Sequence, residues 1–150
     1  MAILSSPVIA RSLCARYGNA PTGMTLAKVP VISIIDDDEQ VRDAVKGLVR
    51  SLGYTAAAFA SAEDYLRSDC VCTSSCVVTD LRMRGMSGAD LQSRLIADGN
   101  RTPVIFMTAF ADDATQARVL NKGAAGFLKK PFDDKALVQC LEKALGEAKN

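Results

Sequence analysis

The chain has no histidine and no tryptophan. Without histidine there can be no Ser-His or Cys-His nucleophilic dyad, no imidazole metal ligand and no phosphohistidine of the chain's own. Any chemistry has to run on carboxylates, lysine, hydroxyls or thiols. No apolar run approaches the ~20 residues needed to span a bilayer, so no membrane insertion is expected. A basic excess is missing too. Arg11, Arg16 and Lys28 lie in an acid-free opening, and residues 31–150 carry 15 basic and 17 acidic groups, which leaves no patch of the kind that grips nucleic acid. The five cysteines are an odd number, with Cys70, Cys72 and Cys76 close together. That usage suits reduced thiols in a cytoplasmic protein better than a secreted disulfide framework. A structural zinc site would need a fourth ligand, from Cys14, Cys140 or a carboxylate.

What is present is enough for one domain: 150 residues at 49% hydrophobic content can bury a real core. Residues 1–28 include Pro7, Gly18, Pro21 and Gly23 without sustained periodicity and read as a disordered tail. Alternatively, translation begins at Met24 and "MTLAKVP" leads straight into the first strand. The folded unit is expected over 29–148.

From Val31 the pattern is regular. "VISII" is the continuous apolar run of a buried parallel strand, and it stops at three aspartates. Val41, Ala44, Val45, Leu48, Val49 and Leu52 then form one helical stripe, with Gly53 placed to end it. "YTAAAF" is a weak strand. Ser61 and Asp64 resemble a capping box opening a short helix with Tyr65 and Leu66 inward. "CVVTD" reads as the third strand, Leu91, Leu95 and Ile96 as the apolar face of the next helix, and "PVIFMT" as the fourth strand. "DDATQARVLNKG" is acidic at its start and ends in Lys122-Gly123, as a helix dipole favours. "AGFL" is the fifth strand, and Leu137, Cys140, Leu141, Ala144 and Leu145 repeat the helical spacing. Five strands alternating with five helices call for an α/β fold: a doubly wound parallel sheet covered on both faces.

The unusual residues fall at one edge of that sheet. Asp36 and Asp37 end strand one, Asp80 ends strand three, Thr108 ends strand four and Lys130 follows strand five. The carboxyl edge of an open α/β sheet is where ligands bind. If strands one and three are neighbours, three carboxylates converge, and charges that close resist joint ionisation unless a cation sits among them. Mg2+, which takes oxygen ligands and bridges carboxylates to phosphate, answers that need. Lys130 adds a mobile positive charge, Thr108 a hydroxyl, and Ala109 leaves the approach open. A carboxylate nucleophile with a metal, a lysine and a hydroxyl suits phosphoryl transfer. Taken singly, each residue has a plainer reading: Asp36 and Asp37 as a helix-capping turn, Asp80 as a loop aspartate, Thr108 as a strand residue, Lys130 as a surface lysine and Phe127 as core. Their coincidence at the strand ends argues otherwise.

"IIDDDEQVRDAV", "VVTDLRMRGMSG", "VIFMTAF" and "GFLKKPF" resemble, in order and spacing, the landmark segments of response-regulator receiver domains, the CheY-like fold, and of the FixJ-like group in particular. The resemblance spans about residues 30 to 147. It implies strand order 2-1-3-4-5 and a phosphoryl group passed from the phosphohistidine of a sensor histidine kinase to Asp80. Asp36, Asp37, Asp80 and the backbone carbonyl of Arg82 would bind Mg2+, while Lys130 and Thr108 hold the phosphoryl oxygens. Phe127 takes the place of an aromatic that follows the threonine, so that the face made by the fourth helix, the fifth strand and the last helix reports phosphorylation to a protein partner or to a second copy as a phosphorylation-dependent homodimer. Such a protein is a switch in two-component signalling. It is not an enzyme beyond its own phosphorylation and autodephosphorylation.

Arg84 departs from the pattern, standing where the family usually has proline. No helix-turn-helix follows the last helix, so output is expected to pass through a partner, as in a stand-alone receiver, a phosphorelay shuttle or a phosphate sink. Arg82 and Phe110 occupy the positions that flank an attacking water in this family, and slow self-hydrolysis is expected of them. Two other readings stay open: a haloacid-dehalogenase-like phosphatase with its nucleophile at Asp36, and a receiver-shaped binding module that is never phosphorylated.

Overall fold

A computed structural model describes residues 29–110 and 112–148. The tail, the alternative start at Met24 and Cys14 lie outside the described residues. Strands β1 (Val31–Ile35), β2 (Thr55–Phe59), β3 (Cys76–Asp80), β4 (Val104–Thr108) and β5 (Gly126–Lys129) form one sheet in the order β2-β1-β3-β4-β5. All pairs are parallel. Register pairs Ile35 with Thr79 and Asp80 with Met107. The aspartates after β1 therefore stand beside the end of β3.

Parallel strands buried on both faces need apolar residues at every position, and β3 and β4 are buried throughout. Alternation divides them between two cores. Ile32, Ile34, Cys76, Val78, Ile105 and Met107 point to one face. That face is covered by α1 (Glu39–Ser51) through Val45 and Val49, and by α6 (Asp134–Ala148) through Leu137 and Leu141. Ile35, Val77, Val104 and Phe106 point to the other. There they meet Tyr65 of α2 (Ala62–Leu66), Val71 of α3 (Cys70–Thr73), Leu91 and Leu95 of α4 (Gly88–Ala97) and Val119 of α5 (Asp113–Asn121).

The helix starts follow local chemistry. The Asp38 side chain accepts from the Gln40 N–H and opens α1. Ser61 accepts from Asp64 N–H at α2, and Ser87 with Asp90 completes a reciprocal capping box at α4. Gly53, Gly99 and Gly123, all at positive φ, end α1, α4 and α5.

Several details differ from the sequence expectation. There are six helices among the described residues, because Cys70–Thr73 forms a four-residue turn of its own. The apolar stripes run past the buried faces: Ala44 on α1, Leu52 at its C-terminal cap and Ile96 on α4 are exposed. Among the described residues the cysteines form no metal-binding group. Cys76 packs in the α1/α6 core while Cys70 packs on the opposite side of the sheet, and both are free thiols. Cys140 is half-buried on α6, against Gly126, where an added Cβ would lie 2.8 Å from its Sγ.

Among the described residues no helix is long and apolar enough to cross a membrane.

Candidate functional site

The carboxyl edge of the sheet gathers Asp36, Asp37 and Asp80, each offering a carboxylate oxygen within 4.8 Å of the others. Asp36 is fully buried, Asp80 nearly so, and Asp37 is exposed. The β1–α1 turn is tied down from several sides. Asp36 N–H donates to the Phe59 carbonyl at 3.1 Å. Its Oδ1 accepts from Asp38 N–H at 2.9 Å, and its carbonyl accepts from the Arg42 guanidinium at 2.7 Å.

Lys130 enters from the end of β5, where its N–H donates to the Thr108 carbonyl at 2.7 Å. Its Nζ lies 2.8 Å from Asp36 Oδ2 and 3.6 Å from Asp80 Oδ1. Burial works to lower the Lys130 ammonium, but its hydrogen bond to Asp36 and the charges of Asp36 and Asp80 outweigh it, and the net shift is upward. One ammonium thus faces two buried carboxylates, with Asp37 beside them. The imbalance shows in Asp80. Burial first, and then the charge of Asp36, push its carboxyl up to about 6, against the opposing pull of Lys130 and a hydrogen bond from the Arg82 backbone.

Three hard oxygen donors in surplus over positive charge are the donor set that a divalent cation such as Mg2+ prefers. The residues present fit that ion. Charge balance in the buried pocket favours it as well.

Thr108 is buried at the end of β4. Its hydroxyl is engaged with its own loop, donating to the Phe110 carbonyl and accepting from the Phe110 N–H, each at 3.1 Å. Phe127 is half-buried and packs against the second core, paired in register with Phe106. The exposed Phe110 ring lies under the Arg82 guanidinium, 5.0 Å from ring centroid to Cζ.

A model of the response regulator receiver domain matches residues 32–142. The chain belongs to the response regulator receiver domain family. The receiver is 38% identical over 130 residues to the transcriptional regulatory protein TdiR of Thauera aromatica, covering 87% of this chain and 53% of that protein. It is 37% identical over 117 residues to the transcriptional regulatory protein FixJ of Azorhizobium caulinodans, covering 78% and 56%. Among solved structures, response regulator StyR superposes at a TM-score of 0.76 with 35% identity, over 81% of this chain and 62% of that one. FixJ-N does so at 0.71 with 29% identity, over 79% and 95%. The receiver spans about half the length of the curated relatives it matches.

Sequence reading expects Asp36, Asp37, Asp80 and Lys130 at one sheet edge, and the fold brings these four side chains together. It missed Arg42, which holds the Asp36 carbonyl, and Glu63, whose carboxylate reaches the loop after Asp80. Neither lies at a strand end. The departure at Arg84 has a structural counterpart: its backbone N–H, which a proline would lack, donates to Asp37 Oδ2 at 3.4 Å.

Proposed function

We propose that this receiver domain accepts a phosphoryl group on Asp80 from the phosphohistidine of a sensor histidine kinase, with Mg2+ held by Asp36, Asp37, Asp80 and the Arg82 carbonyl. The observation that carries the reading is the three-carboxylate cluster, two of its members buried, with Lys130 Nζ at 2.8 Å from Asp36 and 3.6 Å from Asp80. When bound, Mg2+ would neutralise charge on the carboxylates and on the incoming phosphoryl oxygens.

The chain's own groups divide the work. An Asp80 carboxylate oxygen forms a bond to phosphorus while the phosphorus–nitrogen bond of the donor breaks, and the imidazole nitrogen leaves with the electron pair. Asp36 is poorly suited to that attack, since Oδ1 accepts from Asp38 N–H and Oδ2 from Lys130. This disfavours a phosphatase with its nucleophile at Asp36, a family other than the one to which the chain belongs. Lys130, poised between two carboxylates, turns its ammonium to pair with a phosphoryl oxygen. The Thr108 hydroxyl exchanges its Phe110 partners for another, and Phe127 follows. The surface of α5, β5 and α6 then presents the phosphorylated state to a protein partner or a second copy. The protein acts as a cytoplasmic switch that catalyses only its own phosphorylation and dephosphorylation. The Arg82–Phe110 pair, joining the loops after β3 and β4, shields the acyl phosphate from water and makes self-hydrolysis slow.

The test is labelling with acetyl phosphate and Mg2+. A hydroxylamine-sensitive acyl phosphate absent from Asp80→Asn supports the reading. Label that survives in Asp80→Asn but vanishes in Asp36→Asn refutes it, and no label in the wild type points to a binding module.

A further inference from the structure

The loop between Asp80 and α4 is closed at its base and pinned at its tip. At the base Gly88 N–H donates to the Leu81 carbonyl at 2.9 Å, and a Cβ on Gly88 would sit only 2.3 Å from the Asp80 carbonyl oxygen. At the tip, two carboxylates from distant parts of the chain take alternate backbone N–H groups. Asp37 Oδ2 accepts from Arg84 at 3.4 Å, and Glu63 Oε2 accepts from Met86 at 3.0 Å. Between them Gly85 takes φ +76°, and a Cβ there would lie 2.6 Å from Glu63 Oε2. The loop passes close against the Glu63 carboxylate, and its positive φ at Gly85 favours glycine.

Glu63 stands on α2, and the cap of that helix is supplied by Ser61. Its carboxylate is directed outward, to the loop's N–H, in a charge-assisted hydrogen bond. The same loop carries Arg82, whose backbone hydrogen-bonds Asp80, and Arg84, whose N–H holds Asp37. Asp37 is the exposed member of the cluster and so the one with most freedom to turn away.

We propose that Glu63 is a positioning residue for the cation site. By holding the Met86 N–H it fixes the loop that orients Asp37 through Arg84 and sets Arg82 beside Asp80. It touches no reacting atom. The inference rests on the phosphoryl-transfer reading for its metal, but the loop it fixes can be measured without one.

The experiment compares wild type, Glu63→Gln and Glu63→Ala by backbone amide exchange of the metal-free proteins and by calorimetric titration with Mg2+, with melting curves as a folding control. Glu63→Ala is expected to speed exchange at Met86 and Arg84 by about tenfold or more, and to weaken Mg2+ binding several-fold, the scale of one lost hydrogen bond. Glu63→Gln still offers an acceptor oxygen and should keep both within about twofold. Unchanged exchange and affinity in Glu63→Ala, or equal damage in Glu63→Gln, would each overturn the proposal. Wild-type protein that bound no Mg2+ would contradict the function reading instead, and the metal-free exchange would still decide whether Glu63 holds the loop.

Discussion

Two buried polar clusters lie along β1, and they are built on opposite principles. Ser33, in the middle of the strand, shares a 2.5 Å hydrogen bond with Ser74, which in turn receives the Tyr65 hydroxyl at 3.5 Å and donates to the Cys70 carbonyl. Every group is neutral and has a partner. Three residues further on, Asp36 joins Asp80 and Lys130 in a cluster whose charges do not balance and whose Asp80 is pushed up to about 6. The first arrangement suits a group that only has to be buried. The second holds a surplus of negative charge that a bound cation would relieve. The difference is that between holding the fold and being ready to change.

The sharpest way to break the contrast is to neutralise the charged cluster. Asp80→Asn should abolish acyl-phosphate formation and yet stabilise the metal-free fold. The sign follows from linkage. The Asp80 carboxyl rises from 3.8 unfolded to about 6 folded, so between those values the native state binds more protons and stability falls as pH rises. At neutral pH the cost is on the order of 1–3 kcal/mol. The gain in Asp80→Asn, measured by denaturant melts, should therefore be full at pH 7, shrink as pH falls through 6, and vanish below about 4. Saturating Mg2+ should close the gap by stabilising the wild type.

Lys130→Ala comes next. It leaves two buried carboxylates without their ammonium, and metal-free stability at pH 7 should drop by a few kcal/mol, recovering as pH is lowered. Labelling by acetyl phosphate should slow by about a hundredfold.

How much of this contrast was legible beforehand depends on what each element uses. The edge-lying Asp36, Asp37, Asp80 and Lys130 stood out because polar residues abruptly ended apolar strands, and parallel pairing then had to bring those ends together. β1, β3 and β4 were equally plain, being buried on both faces. β2 was faint because an alanine-rich edge strand is only half-buried. The α3 turn was missed since four residues carry no period. Ile96 and Leu52 sit on helical stripes that continue past the surface they cover. The roles of Glu63, Arg42 and Arg84 were hidden because they act on or through backbone N–H and C=O groups, whose directions depend on loop conformation and leave no mark on residue type.

The neutral cluster should behave in the opposite way. Ser33→Ala removes one hydroxyl and should cost about 1 kcal/mol, with little dependence on pH and acetyl phosphate labelling unchanged. A pH-dependent loss, or slower labelling, would blur the distinction between the two clusters.

The smallest effect concerns the mouth of the charged site. Arg82→Asn with Phe110→Glu removes the stacked pair and should shorten the phosphorylated lifetime several-fold without altering stability by more than about 0.5 kcal/mol. The decay of label after removal of the phosphodonor measures it.

The most direct test of Asp80 as phosphoacceptor is where the phosphoryl group goes. Protein labelled with acetyl phosphate and Mg2+, reduced with borohydride and mapped by mass spectrometry, should carry the reduced residue at position 80 alone. Reduction at position 36 or 37, or none above the unlabelled control, would contradict it.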